Sequence, residues 1–152
     1  MPRGARRLPE ECLRRLASVE LILHAGDVVG APVLEELRRL APVEAVAGNM
    51  DDAELLATLP ERRIVEVDAV RIGMVHVPGP AVGRGERLTA AFPDCDAIVY
   101  GHTHVPEVAR SGEVWVLNPG SPTERRAAPA QSMLVLELEG TEIRPELVTL
   151  SS

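Results

Sequence analysis

The sequence predicts an α/β fold, with two sheets packed face to face and helices outside them. Three observations lead there. In the first half, apolar strand-like runs alternate with helical stripes. In the second half, short strands follow one another across turns rich in Gly and Pro. Four apolar runs end in polar residues able to bind a ligand, at the carboxyl ends where open α/β sheets place their sites.

The elements follow in order. Pro9 opens a helix at its first turn, and Leu8, Cys12, Leu13 and Leu16 share one face of it. Val19 to Leu23 reads as a strand of nearly pure apolar character, the pattern of a strand buried on both faces. Ala31 to Leu40 is a second helix with Val33, Leu34, Leu37 and Leu40 on its inner stripe. The strand Val43 to Val46 precedes Asp51 and Glu54, spaced as a capping box for a short helix ending at Leu59. Ile64–Val67 and Val70–Val75 form a hairpin about Asp68-Ala69, and a helix from Arg84 to Ala91 leads into the strand Ala97–Tyr100. Val114–Leu117, Met133–Leu138 and Glu142–Val148 complete the strands. No repeat, linker or low-complexity stretch interrupts them, so residues 1–150 are expected to form a single domain.

Composition narrows the function classes. A chain of 152 residues, 45% hydrophobic, has the size of one domain with a core. A net charge of −7 argues against general binding to nucleic acid or anionic membranes. Every basic residue is Arg, which we read as coding bias. Cys12 and Cys95 are too few for a disulfide framework, which points to a reducing cytoplasm. No apolar stretch approaches the roughly 20 residues that span a bilayer. Met1 to Arg7 is basic with no apolar region after it and is not a signal peptide.

Four polar signals stand at the strand ends. Gly26-Asp27 follows Leu21-Ile22-Leu23, Gly48-Asn49 follows Val43 to Val46, and His76 follows Ile72 to Val75. Gly101-His102-Thr103-His104 follows Ala97 to Tyr100. They supply one carboxylate, one amide oxygen and three imidazoles, a set that suits Mn, Fe, Zn, Ni or Co better than Mg or Ca. If the strand continues through them, His102 and His104 point to one side.

In this order, with His24-Ala25-Gly26-Asp27, Gly48-Asn49-Met50-Asp51 and Asn118-Pro119-Gly120-Ser121-Pro122-Thr123, the chain resembles the calcineurin-like metallophosphoesterases. It is most similar to their small bacterial and archaeal phosphodiesterase branch, which also gave rise to a retromer scaffold subunit. The resemblance runs from about Leu8 to Glu139. It implies a four-layer α/β/β/α sandwich and a two-metal centre. Asp27 would bridge both metals, with Asn49, His76 and His102 completing the second and His104 binding the first. Asp27, Asn49 and His102 would carry the catalysis, and Mn is the foremost metal, with Ni, Fe, Zn or Co as alternatives. Two metals about 3.5–4 Å apart would clamp a phosphate and acidify a water for in-line attack. The implied substrate is a small phosphate ester in the cytoplasm, with no nucleic acid or membrane partner; homo-oligomerisation is left open.

Two departures bear on that expectation. The family pattern opens with a central strand ending in Asp-x-His, which supplies two further ligands of the first metal, and this sequence has no counterpart. Met1 is therefore read as an internal methionine taken as the start. One metal keeps a full set of protein ligands and the other does not. Met50 stands where many relatives of the wider superfamily carry a proton-donating histidine, which favours activated or diester substrates.

Plainer roles compete at each residue. Asp27 can cap a helix after its strand, Asn49 can be a left-handed turn residue beside Gly48, and His76 can be a satisfied core histidine. His24 either lines the phosphate pocket or caps its strand. Asp51 reads as a helix cap, and Arg84, Arg87, Arg125 and Arg126 as surface cations. Asn118 to Ser121 reads as a tight turn beside the pocket, and Trp115 as core. The readings are then a metal-dependent phosphodiesterase or phosphatase impaired by its missing ligands, a binding or scaffold protein with a degenerate site, or a structural metal domain. The last fits poorly because such zinc sites are usually rich in Cys.

Overall fold

The computed structural model describes residues 8–26, 31–48, 53–122 and 130–150. Asp27, Asn49, Met50, Asp51, Arg125 and Arg126 lie outside the described residues, so the expectations placed on them rest on sequence alone. The order is α1 (Glu10–Leu16), β1 (Ile22–His24), α2 (Ala31–Leu40), β2 (Val43–Ala45), α3 (Ala53–Thr58), β3 (Arg62–Val67), β4 (Val70–Val75), α4 (Arg84–Ala91), β5 (Ala97–Tyr100), β6 (Glu107–Ser111), β7 (Val114–Asn118), β8 (Gln131–Glu139) and β9 (Glu142–Leu150).

Among the described residues the strands form three sheets. β1 pairs in parallel with β2, β8 pairs antiparallel with β9, and the third is a five-stranded sheet ordered β3-β4-β5-β7-β6. The centre of that sheet is parallel, β4 to β5 to β7, with β3 and β6 added antiparallel at its two edges. This is the mixed α/β architecture the sequence predicts. All four residues of β5 are buried, as a parallel strand covered on both faces requires.

The five-stranded sheet is covered differently on its two faces. On one face, Val65, Ile72, Met74, Val99 and Leu117 pack with Val46 and Ile143, and Leu23, Leu134, Leu136 and Leu138 close over them half-buried. On the other, Leu88 and Phe92 of α4 and its end pack on Val75, Ile98, Tyr100 and Val116. α1 turns Cys12 onto Met133, Val148 and Leu150, and α2 turns Leu37 onto Ile22 and Ala41. The face predicted for α2 is correct at Leu34 and Leu37, which are buried.

Three expectations are corrected. The strand assigned to 19–23 pairs only at Ile22–His24, and Leu23 and His24 are half-buried. The physical reason is that β1 has a ladder partner on one edge only among the described residues. β6 was not anticipated, because its polar, alternating Glu107-Val108-Ala109-Arg110-Ser111 is the composition of a sheet edge; Ser111-Gly112 is the turn signal that marks it. Trp115 is half-buried, its ring covered by the Arg110 guanidinium at 4.2 Å.

Candidate metal centre

Four histidines line one cavity of about 140 Å³ at the carboxyl ends of β1, β4 and β5. His24 closes β1, His76 follows β4, and His102 and His104 follow β5 across Gly101. Sequence positions 52 and 26 residues apart thus converge because parallel strands end at one side of a sheet.

His76 is the anchor. It is 3% exposed, and its Nδ1–H donates to the Ala25 carbonyl at 2.6 Å. A carbonyl cannot donate, so the proton sits on Nδ1, and in the neutral ring the lone pair is on Nε2. A backbone carbonyl holding one nitrogen of a histidine while the other binds metal is the usual supporting arrangement. The His102 ring meets it edge-on, with centroids 5.3 Å apart and planes at 81°.

Both glycines of the neighbouring motifs make room for this ring. Gly26 has φ +101°, and a Cβ there would lie 2.5 Å from His76 Nδ1 and 2.7 Å from its Cγ. A Cβ on Gly101 would lie 2.7 Å from the Ala25 oxygen and 3.0 Å from His76 Nδ1. Gly26, Ala25, His76 and Gly101 are therefore one packed unit.

His24 carries the opposite tautomer. Its Nδ1 accepts the Gly26 N–H at 3.2 Å, which leaves the proton of a neutral ring on Nε2. His76 is set up to give a lone pair and His24 to give a hydrogen bond.

β5 does not continue through His102 and His104, so the condition for their pointing to one side is not met, although both line the cavity. β5 ends at Tyr100, and the two histidines adopt φ +69° and +61°. Left-handed backbone costs an L-residue roughly 1–2 kcal/mol. Two such residues in three positions are held by their surroundings, which is typical of functional loops. The clamp is Asn118, fully buried, whose Nδ2 donates to Thr103 Oγ1 at 2.9 Å and lies 3.5 Å from the Gly101 oxygen. Its Oδ1 accepts the Gly120 N–H at 2.8 Å. Asn118, read from sequence as part of a turn, ties that turn to the histidine loop. A buried polar residue ending an apolar strand was the signal.

Arg84 and Arg87 do not line the histidine cavity and bond to backbone oxygens instead. Arg84 donates to the Gly79 oxygen at 2.9 Å and stacks on Tyr100 at 5.2 Å, and Arg87 donates to the oxygens of Val82 and Pro80. Tyr100 donates to Glu107 at 2.6 Å, and burial with that carboxylate pushes its hydroxyl up to about 12. Cys12, on the cavity wall, is pushed up to about 11, chiefly by burial and further by Glu11, so its thiol stays protonated and inert.

The donor set fits a borderline transition metal: imidazoles, one with its tautomer fixed. Among the described residues, no three His, Cys, Asp or Glu side chains converge tightly enough to form a metal site by themselves. Asp27 and Asn49, the expected oxygen donors, lie outside those residues.

Residues 4–141 match the model of the calcineurin-like phosphoesterase superfamily domain. A probable metallophosphoesterase of Methanothermobacter thermautotrophicus is 37% identical, over 97% of this chain and 86% of the relative. A phosphodiesterase of Methanocaldococcus jannaschii is 30% identical over 68% of each chain. Among solved structures, Vps29 from Entamoeba histolytica, complexed with zinc, superposes with a TM-score of 0.75 at 25% identity, over 98% of this chain and 93% of that one.

Proposed function

The chain belongs to the calcineurin-like phosphoesterase superfamily, and from that premise we propose that it is a metal-dependent phosphodiesterase acting on a small phosphate ester. The observation that carries the proposal is the His76 tautomer, fixed by Ala25 so that Nε2 is the ligating atom beside His102. The zinc bound by the Entamoeba histolytica Vps29 supports a divalent transition metal, and for this chain the proposal is Mn. Asp27, Asn49, His76, His102 and His104 are the residues that would hold the metals. When bound, the metals supply positive charge at the phosphoryl oxygens and acidify a water.

The protein's own residues set the rest. Asn118 and Gly101 hold His102 and His104 in their left-handed conformation, so little reorganisation is left for the reaction. His24, with its proton on Nε2, donates a hydrogen bond to a phosphate oxygen in the cavity. Met50 offers no proton to the leaving group, which restricts the enzyme to leaving groups of low pKa and to diesters. A second reading is a binding protein with a degenerate site, as the likeness to Vps29 structures suggests. The proposal also takes residues 1–150 as one domain and the cytoplasm as its compartment; among the described residues, no helix is long and apolar enough to cross a membrane.

Hydrolysis of bis-p-nitrophenyl phosphate with added Mn tests it. Detectable turnover that is lost in Asp27→Asn and His102→Ala supports the enzyme. Metal binding with turnover equal to that of the two variants favours the binding protein.

A further inference from the structure

We propose that Arg84, Tyr100 and Glu107 are positioning residues, a hydrogen-bonded latch that closes the neck of the loop carrying His102 and His104 and ties it to the segment after His76. The loop runs from Gly101 to Pro106 between β5 and β6, so Tyr100 stands at its entry and Glu107 at its exit. β5 and β6 are not neighbours. β7 lies between them, which sets the two feet of the loop two strand spacings apart, roughly 10 Å. The Tyr100 hydroxyl reaches across that gap and donates to Glu107 Oε1 at 2.6 Å. Asn118 stands in the row between the feet: it is the register partner of Glu107, and the preceding Leu117 is that of Val99. The loop is thus held at two levels, by Asn118 on its body at Thr103 and by Tyr100 and Glu107 at its ends.

Arg84 extends the chain to the second histidine-bearing segment. It is the first residue of α4, and its guanidinium lies over the Tyr100 ring at 5.2 Å. Nη1 is 3.5 Å from the hydroxyl, and Nη2 donates to the Gly79 oxygen at 2.9 Å. Gly79 follows His76 by three residues. Arginine can only donate and a carboxylate only accept, so the hydroxyl between them has one orientation, accepting from Arg84 and donating to Glu107. Tyr100 is 1% exposed, in an apolar cluster with Val75, Leu88 and Ile98 where a phenylalanine would pack as well. Fastening α4 to the sheet needs no hydroxyl there, since Leu88 and Phe92 already do it. A buried hydroxyl is costly unless bonded, and this one is bonded to the exit of the histidine loop. None of the three residues lines the histidine cavity, so they act through the loop and not on a substrate. The latch stands on these bonds alone; its effect on metal binding rests on the function proposed above.

The test compares Tyr100→Phe, Glu107→Ala, Glu107→Gln and Arg84→Met with the parent and with Ile143→Val, a trim in the core on the opposite face of the sheet. Backbone couplings measured by NMR without metal report φ at His102 and His104. We expect these couplings to move towards averaged values in Tyr100→Phe and Glu107→Ala, and less far in Arg84→Met. Glu107→Gln should keep the parent's left-handed values, because its amide oxygen still accepts the hydroxyl proton. Ile143→Val should lower the melting temperature and leave the couplings unchanged. In Mn titrations Tyr100→Phe and Glu107→Ala should bind roughly tenfold or more weakly, with affinity restored in Glu107→Gln. Parent couplings in a folded Tyr100→Phe, equal averaging in Ile143→Val, or Glu107→Gln behaving like Glu107→Ala would overturn the latch. Parent couplings in Arg84→Met would overturn the part given to Arg84. A parent that binds no Mn would instead refute the metal reading, and the couplings, taken without metal, would still decide the latch.

Discussion

Gly26→Ala isolates what the Gly-Asp motif does for the site. At φ +101° an L-residue is strained, by roughly 1–2 kcal/mol. The new methyl would also stand 2.5 Å from His76 Nδ1, on a ring that is 3% exposed. Either the overlap remains, at about 1–3 kcal/mol, or the ring shifts and the Ala25 oxygen loses its bond, at a similar cost. One of these adds to the backbone strain, giving about 2–5 kcal/mol in all. With roughly 2–4 °C per kcal/mol for a chain of this length, the melting temperature should fall by about 6–12 °C for a loss of about 3 kcal/mol. Because the His76 tautomer is disturbed, metal affinity should fall roughly 10–100-fold. Gly112→Ala is the control: φ is +64° and nothing lies within 4 Å of its would-be Cβ. It should lose only the strain and keep its metal affinity. Thermal melts and metal titrations of both variants are the assay. Equal destabilisation of the two, with metal affinity intact in Gly26→Ala, would refute the account of His76.

Asn118→Ala should release the histidine loop, costing about 1–3 kcal/mol for the polar groups left behind and lowering metal affinity about tenfold or more; urea melts and metal titration measure the two. Cys12 gives a pH dependence. Its thiol moves from 9.0 to about 11 on folding, so its contribution is intact below 9.0 and gone once pH passes about 11. Stability should therefore fall by up to about 2–3 kcal/mol over that window. Cys12→Ala should flatten this part of the curve in melts from pH 8 to 11, leaving the later loss from Tyr100, whose hydroxyl moves to about 12.

Much of the fold was legible because burial and periodicity agree. The helices Ala31–Leu40 and Arg84–Ala91 and the strand Ala97–Tyr100 have the bounds the sequence implied. β1 was misread because apolar character marks where a strand belongs, whereas pairing needs neighbours on its edges. His76, His102 and His104 were legible as a set after their strands, while His24 was left between lining the pocket and capping its strand. Their geometry was not, since a period of two says nothing once the chain turns left-handed at His102 and His104. Nor could sequence show that His24 and His76 hold opposite tautomers, because each is decided by one backbone group, the Gly26 N–H and the Ala25 oxygen.

The central claim is that His76 and His102, positioned by Gly26, Gly101 and Asn118, bind a catalytic transition metal. Elemental analysis of dialysed, Mn-reconstituted protein tests it most directly, comparing the parent with His76→Ala, His102→Ala and His104→Ala, each checked for a cooperative melt. The account predicts about one tightly held metal per chain in the parent, little or none in the first two variants, and a smaller loss in His104→Ala, whose metal position has fewer ligands. Folded variants that all retain metal like the parent would contradict it.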